Sequence, residues 1–301
     1  MDQPAPHPPG SRRGEWLLLL AATIWGLAFV AQRSAMQHLG PCYFTGVRFL
    51  MGAALLCALP RVRRAWRAPS PQLAQATLVC GLCLTPAATL QQVGLVQTTA
   101  GEAAFITGLY VVLVPLVSAC TGRAPAFATG ASALVAGVGL YFVAVSDGLR
   151  LDPGNGWVLA SAFLMAAHVI AIDRRAGTTD PLALAAGQFA MCGALALAAA
   201  PCLEPMPANT AWLAALPELL YGGFLSVGLA YTLQVVGQRN ADPTHAAIIM
   251  SLESPIGALG GMAALGEGFT PRQAGGCAAM LAAMVASQVF GQPVKPAESV
   301  E

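Results

Sequence analysis

Charge is what this chain has least of. Of its 301 residues only 10% are Asp, Glu, Lys or Arg, against 56% hydrophobic, whereas a soluble domain carries about a quarter charged residues. So few charges cannot cover a surface in water, and lipid is the solvent that such a surface suits. The net charge of +1 provides no basic face for nucleic acid or for acidic partners. Catalytic signatures are missing as well. No G-x-S-x-G, H-E-x-x-H or P-loop occurs, which argues against an enzyme, and no spacing of His, Cys, Asp or Glu calls for a metal or cofactor. The cysteines lie mostly in apolar stretches, and Cys80-x-x-Cys83 lacks both a βαβ context and a second pair. They read as small packing side chains.

What is present is a succession of apolar segments of spanning length, at 16–36, 41–60, 73–95, 100–120 and 127–146, then 155–173, 181–202, 213–238, 244–265 and 271–290. Each is near the ~20 residues that a helix needs to cross the hydrocarbon core. Backbone groups in lipid must be satisfied internally, so helices are expected. The alternating ten-residue segments of a membrane barrel are absent. Residues 1–15 and 291–301 read as polar, disordered tails. The first apolar run is too long for a signal-peptide core and is followed by no A-x-A-type site, so it is expected to remain as a span.

Loop charges set the orientation. With the amino terminus inside, eleven Lys and Arg face the cytoplasm, four of them in Arg61–Arg67, and only Arg150 and Arg272 face outward; Arg33 and Arg48 lie within spans. The expectation is a bacterial inner-membrane protein with both termini cytoplasmic, its basic loop resting on anionic lipid and Trp66 at the interface.

The chain also repeats itself. Trp16 and Trp157, like Arg33 and Arg174, are 141 residues apart; Pro41 and Pro181, and Arg48-Phe49 and Gln188-Phe189, are 140 apart. Leu90-Gln91-x-Val93-Gly94 returns as Leu233-Gln234-x-Val236-Gly237, and Ala103-Ala104 as Ala246-Ala247, both at an offset of 143. An odd number of spans per half forces the second half into the membrane upside down. The predicted fold is therefore an all-α membrane protein of ten transmembrane helices, built as two inverted five-helix repeats at 16–146 and 155–290. That architecture is typical of secondary transporters, with the substrate site between the halves near the midplane.

The same order of motifs resembles the drug/metabolite transporter superfamily, in particular its members with two EamA domains. The resemblance rests on Ala22-Thr23-Ile24-Trp25-Gly26, Arg48-Phe49, Ala103-Ala104-Phe105 leading to Pro115, and Leu265-Gly266-Glu267. It covers almost the whole chain and implies a ten-helix exporter of small solutes such as amino acids, often proton-linked. The first half departs from the pattern, carrying Thr121-Gly122-Arg123 where the Leu-Gly-Glu signature would recur.

Ionisable groups inside spans cost about 2.5–3.5 kcal/mol each at the bilayer centre and normally face the bundle interior. Glu253, near the middle of the ninth span, is the candidate for proton coupling; a structural hydrogen bond is the alternative. Arg48 is the candidate for an anionic substrate group, because a guanidinium grips a carboxylate with two parallel hydrogen bonds. Its alternatives are snorkelling or a pair with Glu253, Glu102 or Glu218. Trp25, Gln91, Gln92 and Tyr110 in the first half are further substrate-binding candidates. In the second half Tyr231 and Gln234 lie in a stripe with Tyr221, Gly228 and Gln238, while His168 and Gln188 face an uncertain direction. Aromatics and amides suit a pocket for a small amphipathic solute; interhelical hydrogen bonding is the plain alternative for each. The expected activity is alternating-access transport of a small metabolite, an amino acid or organic anion, with membrane lipid around it and a homodimer left open. A channel or lipid scramblase is the rival reading, although no charge ring or filter loop supports a channel.

Overall fold

The structure is a computed structural model that describes residues 12–119, 127–146, 150–175, 178–238, 240–241 and 243–290. The tails, Thr121-Gly122-Arg123 and Arg239 lie outside these residues. The first helix already begins at Arg12, so Arg12–Glu15 are helical rather than part of a tail.

The first half runs α1 (Arg12–Ala35), α2 (Pro41–Cys57), α3 (Pro60–Arg67), α4 (Pro71–Leu95), α5 (Ala100–Gly108), α6 (Tyr110–Ala119) and α7 (Phe127–Ala144). A two-residue antiparallel pairing, β1 (Val145–Ser146) with β2 (Arg150–Leu151), joins the halves. The second half runs α8 (Pro153–Asp173), α9 (Pro181–Leu203), α10 (Asn209–Ala214), α11 (Leu216–Leu220), a π-helix (Tyr221–Ala230), α12 (Tyr231–Gln238), α13 (Pro243–Ser251), α14 (Glu253–Leu265) and α15 (Pro271–Phe290). Among the described residues nine helical stretches are long and apolar enough to cross a membrane, or ten when the bent α2–α3 pair is counted as one span. The starts follow local rules. Proline opens α2, α4, α8 and α9 at a position where its missing N–H costs nothing. Ser70, Asp152 and Asp180 accept backbone N–H bonds as N-caps of α4, α8 and α9.

The basic segment is not a loop. It is helix α3, bent by 98° from α2. Trp66 ties this helix to the bundle: its indole N–H donates to the Ala183 carbonyl at 2.9 Å, and its ring fills the space left by the missing side chain of Gly187. Arg61 pairs with Asp180. The apolar side of α3 is thus spent on α9, leaving Arg63, Arg64 and Arg67 exposed.

The halves pack on each other through matching contacts. The second span packs on the seventh (α2 on α9), the fourth on the ninth (α5 on α14) and the fifth on the tenth (α7 on α15), each helix against its own repeat counterpart. The third span packs on the sixth as the eighth packs on the first. Glycine permits these approaches. A Cβ on Gly94 would strike Val158 and the Gly154 carbonyl, and its counterpart Gly237 meets Leu18 and the Gly14 carbonyl in the same way.

Candidate functional site

Between the halves lies a cavity of about 610 Å³. Its first-span wall is Trp25, Ala28, Phe29 and Gln32, one face of α1 at steps of three and four residues. Arg48 and Phe49 come from α2, Gln91 from α4, and Thr107 and Tyr110 from the broken fourth span. The second half adds His168, Gln188, Phe189, Tyr231, Gln234 and Glu253. Of the eight residues singled out in the sequence for substrate or proton, Trp25, Arg48, Gln91, Tyr110, Tyr231, Gln234 and Glu253 line this space. Gln92 does not. It is fully buried and its amide donates to the Gln32 carbonyl at 3.1 Å, tying α4 to α1. Gln91 and Gln92 are neighbours, about 100° apart around a helix, so only one can face the cavity.

The aromatic lining is built around the internal repeat. Phe49 and Phe189, counterparts in the two halves, meet with ring centroids 5.6 Å apart, and Tyr231 closes edge-on against Phe189 at 5.3 Å. The Arg48 guanidinium lies over Phe49 at 4.9 Å and Phe44 at 5.5 Å. Its Nε is buried without a hydrogen-bond partner, and among the described residues no carboxylate lies within ion-pair distance of it. The three acids considered for it are placed otherwise. Glu102 accepts from Thr98 at 2.7 Å and from Gln273 at 2.6 Å, Glu218 accepts from Ser34 at 2.8 Å, and Glu253 faces the cavity with no hydrogen bond among the described residues. The site therefore holds one cation and one acid, each nine-tenths or more buried and neither neutralised by a close partner, a combination that is costly in a low-dielectric setting.

Amides and imidazole complete the polar set. His168 Nε2 lies 2.9 Å from Gln188 Oε1, leaving the Gln188 amide nitrogen unpartnered. The Trp25 indole donates to the Ser226 carbonyl at 2.9 Å, within the π-helix. This wider winding breaks the stripe expected from the sequence. Tyr231, Gln234 and Gln238 line the cavity, whereas Tyr221 donates to the Ile24 carbonyl at 2.9 Å and Gly228 packs against Leu55. Gln32, Thr107 and Ser226 were not singled out in the sequence. Gln32 was discoverable, lying two helical turns from Trp25 on the same face. His245 lies at the exposed end of the ninth span with Glu15 3.0 Å away, and the helix breaks at Leu252, between it and Glu253.

The cavity has one closed end. Gln91 donates to Thr107 at 3.0 Å and Ser254 to the Ala104 carbonyl at 3.0 Å, and Gln32, Arg48 and Thr107 are buried there. At the other end it is bounded by Ile172, Thr179, Pro181 and the exposed Gln238, which is the end that carries α3 and the Arg174-Arg175 turn.

A profile of the EamA-like transporter family matches residues 12–145 and again 152–287. A protein of Archaeoglobus fulgidus (strain ATCC 49558 / DSM 4304 / JCM 9628 / NBRC 100126 / VC-16), named an uncharacterized transporter, is 31% identical over 270 residues, covering 89% of this chain and 83% of that protein. A solved structure described only as the crystal structure of a protein superposes with a TM-score of 0.61 at 19% identity, over 92% of this chain and 99% of that one. That likeness concerns the fold.

Proposed function

The chain belongs to the EamA-like transporter family, and on that footing we propose that it carries a small amphipathic organic anion or amino acid out of the cell by alternating access, coupled to protons through Glu253. One observation carries this reading: Arg48 and Glu253, both without a close charged partner among the described residues, face a single cavity between two inverted repeats. Arg48 is the fork for the carboxylate. Phe49, Phe189, Tyr231 and Trp25 take the apolar part, and the glutamines with His168 take remaining polar groups. Glu253 takes up and releases the coupling proton, so that its two charge states favour the two orientations of the cavity differently.

In this reading the protein sits in a bacterial inner membrane, and the loop-charge count supports a cytoplasmic side for both termini, α3 and Arg174-Arg175. On that orientation the cavity opens inward, and the closed end at Gln91, Thr107 and Ser254 is the outer gate. The test is flux of labelled amino and organic acids in liposomes containing the purified protein, each acid set against its amide. Acid-selective flux that depends on a pH gradient supports the reading. Equal handling of acid and amide sinks the anion assignment, and lipid flip without solute flux sinks transport.

A further inference from the structure

The fourth and ninth spans are counterparts, and each is broken at its centre, at Leu109 and Leu252. Their outer halves, α5 and α14, are tightly joined. A Cβ on Gly257 would lie 2.6 Å from the Ala104 side chain, and the Cα of Ala258 closes on Gly101. The inner halves differ. α6 packs on α7, α8 and α15, and α13 on α1 and α15, but among the described residues α6 and α13 make at most marginal contact with each other. The two spans therefore form a V, pinned at the closed end of the cavity and parted toward its open end.

Two side chains fasten the pinned end, Ser254 through its bond to the Ala104 carbonyl and Glu267 through the first turn of α5. Glu267, just beyond α14, accepts from the Ala100 N–H at 2.7 Å and the Gly101 N–H at 3.1 Å, while Thr99 takes the N–H of Glu102. Two first-turn donors of α5 are thus satisfied across the junction, with a carboxylate at the positive end of that helix. The local backbone is shaped for this reach. Gly266 ends α14 in the left-handed region at φ 67°, where glycine carries no Cβ penalty, and the Glu267 N–H returns to the Gly261 carbonyl at 3.2 Å. Gly261 is needed for the same reason, since a Cβ there would occupy the space of the Glu267 carboxylate.

We propose that Glu267 is the latch of the outer gate, a positioning residue that holds α5 on α14 and so biases the protein toward the state open at the α3 end. Inverted repeats reach their second state by exchanging the conformations of the two halves, which here means parting α5 from α14 and closing α6 on α13. Parting them leaves two helix N–H groups and a carboxylate to find new partners. The corresponding place in the first half carries Arg123, whose side chain accepts no hydrogen bond and so cannot fasten α13 in the same way. The inference rests on the alternating-access reading above.

The test is sided labelling of Thr107→Cys, at the closed end of the cavity, in an otherwise cysteine-free protein held in right-side-out and inside-out vesicles, with a membrane-impermeant maleimide. Glu267→Ala should raise the outer-to-inner ratio of labelling rates about tenfold or more, the scale of a lost charge-assisted bond pair. Ser254→Ala, at the same junction, should raise it less, and Glu267→Asp should restore part of the bias. An unchanged ratio in Glu267→Ala overturns the latch. Should Glu267→Ala fail to reach the membrane, Ser254→Ala decides, and an unchanged ratio there overturns the latch as well. Solute flux by the parent protein tests transport separately, so a protein that carries solute with an unmoved ratio removes the latch alone.

Discussion

Tyr110 and Glu253 occupy the same place in the two halves. Each is the first residue after the break in its span, 143 residues from the other, and each lines the cavity. The duplicated break has therefore diverged into a neutral hydroxyl on one side and an acid on the other. Proton coupling is expected to be a property of the second half.

Glu253→Gln keeps the size and hydrogen-bonding capacity of the side chain but fixes its charge. The variant should fold and bind solute while its flux loses dependence on pH. Tyr110→Phe should retain that dependence. Flux measured across a series of pH values in liposomes checks both, and wild-type pH dependence in Glu253→Gln would make this acid structural.

Arg48→Lys keeps a charge but loses the planar fork and the stacking on Phe44 and Phe49. Losing a charged hydrogen bond costs about 1.5–3 kcal/mol, so affinity should fall roughly 10- to 100-fold. Arg48→Gln should bind more weakly still and separate acid from amide poorly. Titration by ligand-induced thermal stabilisation gives these affinities. Loss of folding in both variants would mark Arg48 as architectural.

Gly26 lies where α1 crosses α14; a Cβ there would come within 2.8 Å of Ile256 and the Glu253 carbonyl. Gly26→Val should therefore destabilise the fold by at least about 1–3 kcal/mol, the usual cost of overpacking. Gly137, also in a span, has nothing within 4 Å of its Cβ position, and Gly137→Val should leave the unfolding midpoint unchanged within error. Chemical denaturation in detergent compares the pair.

A cysteine placed at the exposed Arg64 should react with an impermeant reagent only from the cytoplasmic side. Labelling from outside would invert the whole assignment, including which end of the cavity is the outer gate. Replacing Arg61, Arg63, Arg64 and Arg67 together should weaken the orientation bias, since they supply four of the eleven inner charges.

The sequence by itself determined the spans, their inverted duplication and the two ionisable groups worth following. These depend on local quantities: the length of an apolar run, the parity of five, and the cost of a charge in lipid. It also held the face of α1 that carries Trp25 and Gln32. Tertiary structure alone decided which of Gln91 and Gln92 meets the cavity, that His168 faces Gln188, that α3 lies on α9 through Trp66, and that the fourth and ninth spans are joined through α5 and α14. In water an apolar stripe marks the buried face of a helix, but a span is apolar on every side, so composition does not say which side meets protein. That choice is made by close packing at glycines and by hydrogen bonds between residues far apart in the chain, such as Glu267 and Ala100, and neither partner's local sequence contains the other.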